Sequence, residues 1–170
     1  MDVVARHEIL LPVKPGFIVA TLTGAVLLNM MPWTGWMAWL RPDFVALVVL
    51  YWVIDQPRRV GFMVAFLLGL LVDVAEGALL GQHALSYTIL TYAGIALARR
   101  VRMFSPAAQM VHVIPLFLLN DVVVIGIRML AGADFPGYRY YISGIVAGAL
   151  WPLVALLLRL PQRPRENDHG

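Results

Sequence analysis

The sequence predicts an all-α integral membrane protein, a bundle of six short transmembrane helices. Its 170 residues are 61% hydrophobic and 14% charged, whereas soluble chains are nearer half apolar and a quarter charged. A small soluble globule cannot bury that surplus. Apolar runs recur along the chain, and a spanning helix needs about 20 apolar residues. Six spans with short loops therefore use nearly the whole chain and leave no room for a soluble domain.

The predicted organisation has three parts. A cytoplasmic N-terminal segment covers 1–16, the transmembrane domain covers 17–158, and a polar, disordered cytoplasmic tail covers 159–170. The predicted spans are 17–31, 43–54, 60–80, 84–98, 106–130 and 140–158. The first span ends before Pro32 and the tryptophans 33, 36 and 39, which are typical of a membrane–water interface.

The second span is the shortest of the six. Its dozen or so apolar residues span about 18 Å as a helix, less than the hydrocarbon core. Either the helix is short and the bilayer thins around it, or it gains length from the aromatic stretch before it.

The basic residues predict the orientation. With six spans and a cytoplasmic N-terminus, ten of the thirteen Lys and Arg residues are cytoplasmic, as the positive-inside rule requires. The cytoplasmic ones are Arg6, Lys14, Arg58, Arg59, Arg99, Arg100, Arg102, Arg159, Arg163 and Arg165. Arg41, Arg128 and Arg139 remain at the outer side. Omitting the second span would put the later arginine clusters on the wrong side.

Two acids lie deep in apolar runs. Asp73 in the third span and Asp121 in the fifth are expected at similar depth, where a charge is costly and needs a partner. Arg128 is two helical turns after Asp121, and Asn120 and His83 are other candidate partners. The acids form either a polar site or proton relay, or, as we favour, polar contacts that hold helices together.

Small residues recur at a spacing of four. Gly69, Asp73 and Gly77 form one such series, in which Gly81 is also expected to be a packing residue, and Gly144 and Gly148 form another. This spacing lets helices approach closely. The contact lies either within the chain, which we favour, or in a homodimer or with a partner helix.

Several function classes find no support in the sequence. The chain has no cysteine, which excludes disulfides and thiolate chemistry. No paired-histidine metal motif, nucleophile elbow or phosphate-binding glycine loop occurs, and no basic stripe interleaved with aromatics indicates nucleic-acid binding. We expect no metal, no cofactor and no catalysis.

One stretch is more specific than its composition. Arg41-Pro42-Asp43 is followed by Tyr51-Trp52, Pro57, Gly69-Leu70 with Asp73, Gly77, and then Leu80-Gly81-Gln82-His83-Ala84-Leu85. This ordered set, over about 41–92, resembles the rod shape-determining protein MreD family of the bacterial inner membrane.

The resemblance implies a non-catalytic role in the elongasome. Such a protein would bind MreC and link the MreB cytoskeleton to the peptidoglycan synthases, with the lipid bilayer as its solvent. It also implies a fold similar to the substrate-binding components of ECF-type transporters. The alternative function is therefore a small-molecule-binding component or transporter subunit that uses the buried acids.

Within the resembling stretch, three residues have predicted local roles. Asp43 is placed to cap the second helix. Arg41 pairs with an acid or a lipid phosphate. His83, in the turn with Gly81, is placed to hydrogen-bond toward Asp43 or Asp73. The segment around Arg41 is equally consistent with a binding site for a partner protein and with a turn at the membrane surface.

Overall fold

The computed structural model describes residues 13–162, and all regular structure within that range is helical. Predictions for 1–12 and 163–170 lie outside the described residues. The described part of the chain contains seven α-helices, with short 3₁₀ turns at Tyr138–Tyr140 and Leu160–Gln162. The α-helices are α1 (Pro15–Met30), α2 (Met37–Leu40), α3 (Phe44–Asp55), α4 (Phe62–Glu76), α5 (Gln82–Arg102), α6 (Pro106–Leu130) and α7 (Tyr141–Arg159).

Helix α3 lies at the centre of the bundle. It packs against α1, α5 and α7, and its side chains are buried on every face, with Val45, Leu50 and Trp52 at 0% exposure. A helix that is hydrophobic all round is a buried helix. Helix α3, which corresponds to the second predicted span, is therefore surrounded largely by protein.

The remaining helices pack in sequence order around this centre. Helix α4 pairs with α5, α5 with α6, and α6 with α7. Short connections favour neighbouring antiparallel helices. The buried Trp151 links α7 to α6, because its indole N–H donates to Gln109 Oε1 at 2.8 Å.

Local sequence explains where the helices begin. Pro15 and Pro106 occupy first-turn positions of α1 and α6, where a missing N–H costs nothing. Asp43 and Ser105 cap α3 and α6 by accepting from Ala46 N and Ala108 N.

The distribution of polarity suits a protein surrounded by lipid. Many large apolar side chains are exposed on the outer faces, including Leu27, Met63 and Val111. Polar side chains such as Asp73 and Ser86 are instead fully buried. An exposed apolar surface of this extent needs a membrane or partner to cover it.

Among residues 13–162, three helical stretches are long and apolar enough to cross a membrane: Met37–Asp55, Pro106–Leu130 and Tyr138–Gln162. Helix α1, Pro15–Met30, is a shorter apolar helix. Each of the six predicted spans corresponds to a principal helix, although the number of crossings stays a prediction.

Several helices differ from the predicted spans in their bounds. The third span was expected to reach residue 80, but α4 ends at Glu76 because Gly77 adopts a left-handed conformation with φ 62°. Helix α5 continues to Arg102, four residues beyond the predicted end of the fourth span, and α1 begins at Pro15, two residues before the predicted start of the first.

Candidate functional site

Asp73 joins the end of α4 to the start of α5. Its carboxylate accepts from the main-chain N–H groups of Gly81 at 2.9 Å, His83 at 2.9 Å and Ala84 at 3.4 Å. The His83 ring nitrogen Nδ1 lies 2.8 Å from Asp73 Oδ1. The anion thus satisfies the unpaired donors at a helix N-terminus. Of the two acids predicted near His83, Asp73 is the one it contacts.

The glycines of this segment have different roles. A Cβ on Gly69 would overlap the backbone of Ala84, so this glycine permits close contact between α4 and α5. At Gly77 and Gly81 a Cβ would meet nothing within 4 Å. The prediction of helix packing is wrong at these two positions. Their φ angles of 62° and 96° show that they are turn glycines.

Asp43 forms a second cluster, between α1, α3 and α5. Besides capping α3, its carboxylate accepts from Asn29 Nδ2 at 3.1 Å and from the Tyr87 hydroxyl at 2.7 and 2.8 Å. Asn29 Oδ1 in turn accepts from Phe44 N at 2.9 Å. The cluster holds the beginning of the central helix against its neighbours.

Arg41 pairs with Glu76, the last residue of α4. The two side chains are 29% and 25% exposed. Arg41 was predicted to pair with an acid or a lipid phosphate, and in the structure it pairs with an acid, Glu76. The pair connects the segment before α3 to the α4–α5 turn.

Asp121 and Arg128 do not form the predicted pair, since no ion pair joins them in the described chain. Asp121 instead accepts from Gly144 N at 3.1 Å. A Cβ on Gly144 would overlap Asp121, and one on Gly148 would overlap Ile114. These two glycines therefore let α7 approach α6 closely, within the chain.

A polar cavity of about 650 Å³ lies at the end of the bundle where α3 and α7 begin. The three arginines that were predicted to lie on the outer side, Arg41, Arg128 and Arg139, contribute to its wall, as do the carboxylates of Asp43 and Asp121. Its lining also includes Trp33, Trp39, Glu76, His83, Asn120, Tyr140 and Ser143. Asp73 is absent from the lining, because its carboxylate is used by the turn.

Sequence reasoning missed several of these residues. Asn29 and Tyr87 were not predicted to contact Asp43, although a lone asparagine near the end of an apolar helix is a recognisable signal. Glu76 was not singled out, and Arg139 was predicted only to be an outer charge. Nothing in their spacing indicates that distant loops bring them to one cavity.

The side chains that line the polar cavity are suited to binding a ligand. The cavity offers guanidinium groups, carboxylates and aromatic rings that can bind a polar ligand. Within residues 13–162, no group of three or more metal-ligating side chains lies together.

An apolar groove lies on another side of the bundle, between α1, α3 and α7. It has a volume of about 690 Å³, and Gly24, Ala25, Leu47 and Leu153 are among its lining residues. A Cβ on Gly24 would meet nothing within 4 Å. The small residues of α1 therefore leave a space into which another apolar segment could pack.

Comparison with known proteins identifies the family. The family model described as rod shape-determining protein MreD matches residues 13–160. The chain belongs to the MreD family. A rod shape-determining protein MreD of Haemophilus influenzae is 30% identical over 139 residues, which cover 82% of this chain and 86% of that relative.

No solved structure matches the chain significantly. The similarity to ECF-type transporter components therefore stays a prediction. Membership in a rod shape-determining family and the apolar helices make the chain a membrane protein of cell shape. In this member of the MreD family, the contact between α4 and α5 is formed by Gly69, Asp73 and His83. All three belong to the stretch of sequence that resembles the family.

Proposed function

We propose that the protein is a multi-pass inner-membrane protein with six crossings and both termini in the cytoplasm. Two features support this. Arg41, Arg128 and Arg139 share one cavity. At the opposite end, Arg59 donates to the Val13 carbonyl, which keeps the α3–α4 turn beside the beginning of α1. Within residues 13–162, seven basic residues flank the helix ends assigned to the cytoplasm, against three at the cavity, as the positive-inside rule requires. The seven are Lys14, Arg58, Arg59, Arg99, Arg100, Arg102 and Arg159.

Single cysteines test this topology, because the chain has none. In intact cells, a membrane-impermeant maleimide is expected to label Ala133→Cys, in the α6–α7 connection, and not Arg58→Cys, in the α3–α4 turn. Permeabilised cells should label both. Labelling of Arg58→Cys alone in intact cells would contradict the proposed orientation.

We further propose that the protein acts as a non-catalytic scaffold of cell-wall elongation. It would bind MreC and link the MreB cytoskeleton to the peptidoglycan synthases. Family membership carries this proposal. The short connections support it, because between α3 and α7 they leave little surface outside the helices, so that binding must use helix faces and short loops.

The groove between α1, α3 and α7 is the proposed site for the partner's transmembrane helix. Its lining is almost wholly apolar, which suits a lipid-embedded helix and no water-soluble segment. Transmembrane helices associate through close packing at small residues, and Gly24 beside Ala25 provides such a surface on α1. Leucines 27, 153 and 157 form the sides.

The test uses two matched substitutions. Gly24→Leu fills the groove, whereas Gly126→Leu adds the same side chain on α6, at a glycine that also has nothing within 4 Å of its added Cβ. Both variants should fold. We expect Gly24→Leu to reduce copurification of MreC at least tenfold and to round the cells, and Gly126→Leu to behave as the wild type.

Three outcomes are informative. Wild-type MreC recovery with Gly24→Leu would refute the groove as the site. Loss of self-association alone would assign the groove to a homodimer. Normal rod shape and lateral wall synthesis after depletion of the protein would refute the scaffold function itself.

A further inference from the structure

The carboxylates and guanidinium groups of the polar cavity are unequally paired. Glu76 pairs with Arg41, and Asp43 receives the Tyr87 hydroxyl and main-chain and amide donors. Within residues 13–162, no carboxylate oxygen lies within 4.0 Å of the Arg128 or Arg139 guanidinium. Two arginine charges therefore face the cavity without an acidic partner. Arginine binds phosphate oxygens well, because its planar fork can donate two parallel hydrogen bonds.

Aromatic residues form part of the same wall. Trp39 lies beneath the Arg139 guanidinium, whose Cζ is 5.6 Å from the ring centroid. Trp33 also lines the cavity, and its buried indole N–H has no hydrogen-bond partner in the described chain. Tryptophans concentrate at headgroup depth, where phosphate is the abundant anion. Within the described chain, the Trp33 indole N–H is thus a donor in the cavity wall that no protein acceptor uses.

Asp121 adds a requirement for the rest of the ligand. Asp121 is 4% exposed, its carboxylate accepts the main-chain N–H of Gly144, and the side chains of Asn120 and Ser143 are also placed to donate to it. A carboxylate has room for about four hydrogen bonds. A hydroxyl or amine on the ligand would meet this remaining capacity, whereas a second anionic group there would be repelled.

We propose that this cavity binds a phosphate ester that carries a hydroxyl or amine group. Arg128 and Arg139 hold the phosphate, and Asp121 accepts from the hydroxyl or amine. Such a group is available from a phospholipid headgroup or from a soluble phosphate ester outside the membrane. The inference rests on the proposed membrane placement but not on binding to MreC.

The experiment measures binding to the full-length chain in a maltoside detergent, which contains no phosphate. Tryptophan fluorescence follows titration with dihexanoyl-phosphatidylglycerol, with glycerol 3-phosphate and with inorganic phosphate. Native mass spectrometry checks the mass of each bound species. We expect saturable binding of at least one phosphate ester that is more than tenfold tighter than that of inorganic phosphate.

The variants locate the site. Arg128→Gln combined with Arg139→Gln should weaken binding at least tenfold, whereas Arg102→Gln, at the exposed end of α5, should not change it. Arg139 is exposed, so Arg139→Gln alone decides the matter if the double variant unfolds, and Arg139→Lys should retain part of the affinity.

Relative affinities distinguish the two sources. Binding of the lipid tenfold tighter than glycerol 3-phosphate assigns the site to a headgroup, and equal affinities assign it to a soluble ester. The proposal is wrong if no ester binds saturably, or if Arg139→Gln binds as tightly as the wild type. Because the topology and MreC tests use other residues, a failure of this proposal can be distinguished from a failure of either of those.

Discussion

Asp73 and His83 form one structural unit across two helices. The imidazole Nδ1 of His83 lies 2.8 Å from Asp73 Oδ1, and the main-chain N–H of His83 donates to the same oxygen at 2.9 Å. With the donors at Gly81 and Ala84, this carboxylate fixes both the angle and the register of the α4–α5 turn. A buried charge with such complete hydrogen bonding is a structural element, and its loss affects folding before any binding event.

The first prediction concerns the charge of Asp73. Asp73→Asn replaces one acceptor oxygen with an amide donor that faces main-chain N–H groups, leaving at least one buried donor unpaired. Such a group costs about 1–3 kcal/mol. Thermal unfolding in detergent should show a lower midpoint.

Asp134→Asn, in the exposed α6–α7 connection, is the matched control and should leave the midpoint unchanged. This outcome differs from a simple expectation for polar contacts between helices, in which asparagine substitutes for aspartate without loss. Wild-type stability of Asp73→Asn would show that the turn does not depend on the carboxylate.

The second prediction compares two glycines in helices. Gly69→Ala places a methyl group against the backbone of Ala84, and overpacking of this kind costs about 1–3 kcal/mol. Gly126→Ala meets no atom within 4 Å and gains about 1 kcal/mol of helix propensity in the scale for soluble helices. Opposite shifts of the unfolding midpoint are expected, and equal shifts would contradict the close contact between α4 and α5.

The third prediction concerns the Tyr87 hydroxyl. Tyr87→Phe removes the donor that bonds Asp43 at 2.7 and 2.8 Å, and a hydrogen bond to a charged group contributes about 1.5–3 kcal/mol. Tyr92→Phe, at a position that is 68% exposed, serves as the control. Chemical unfolding should show a loss for the first variant alone. If both variants matched the wild type, the Asp43 cluster would not stabilise the beginning of α3.

The fourth prediction concerns Arg41 and Glu76. Both side chains are partly exposed, so solvent screens their attraction and the pair should contribute about 0.2–1 kcal/mol. A double-mutant cycle with Arg41→Gln and Glu76→Gln measures the coupling. A larger coupling, or one that does not weaken as salt is added, would indicate that the pair is less exposed to solvent than the structure implies.

Parts of the candidate site were predictable because they depend on neighbours in sequence. Asp43 is followed by an apolar run, which is the pattern of a helix cap, and it caps α3. The sequence predicted that His83 contacts Asp43 or Asp73, and the structure contains the contact with Asp73. Asp73 and His83 are ten residues apart, on either side of one turn that keeps them near each other. The missing pair of Asp121 and Arg128 shows the limit of such reasoning, since a shared helical face does not fix where a long side chain ends.

The Asp43 cluster and the polar cavity were not predictable in the same way. Asn29 and Tyr87 lie 14 and 44 residues from Asp43, and Arg139 reaches the cavity from the connection before α7. Sequence spacing carries no information on contacts between such distant segments. They follow from the order in which helices pack around α3.

From the amino-acid sequence alone, the all-helical membrane class, the six principal helices and the cap at Asp43 were predictable. Each of these depends on apolar run length, on caps or on backbone preferences, which neighbouring residues set. The packing of the helices was needed to show that α3, the shortest of the six principal helices, is the buried centre, and that Arg41, Arg128 and Arg139 from separate parts of the chain share one cavity. Both depend on contacts between distant segments, because lipid accepts any apolar helix face and composition alone cannot tell a lipid-facing leucine from a core leucine.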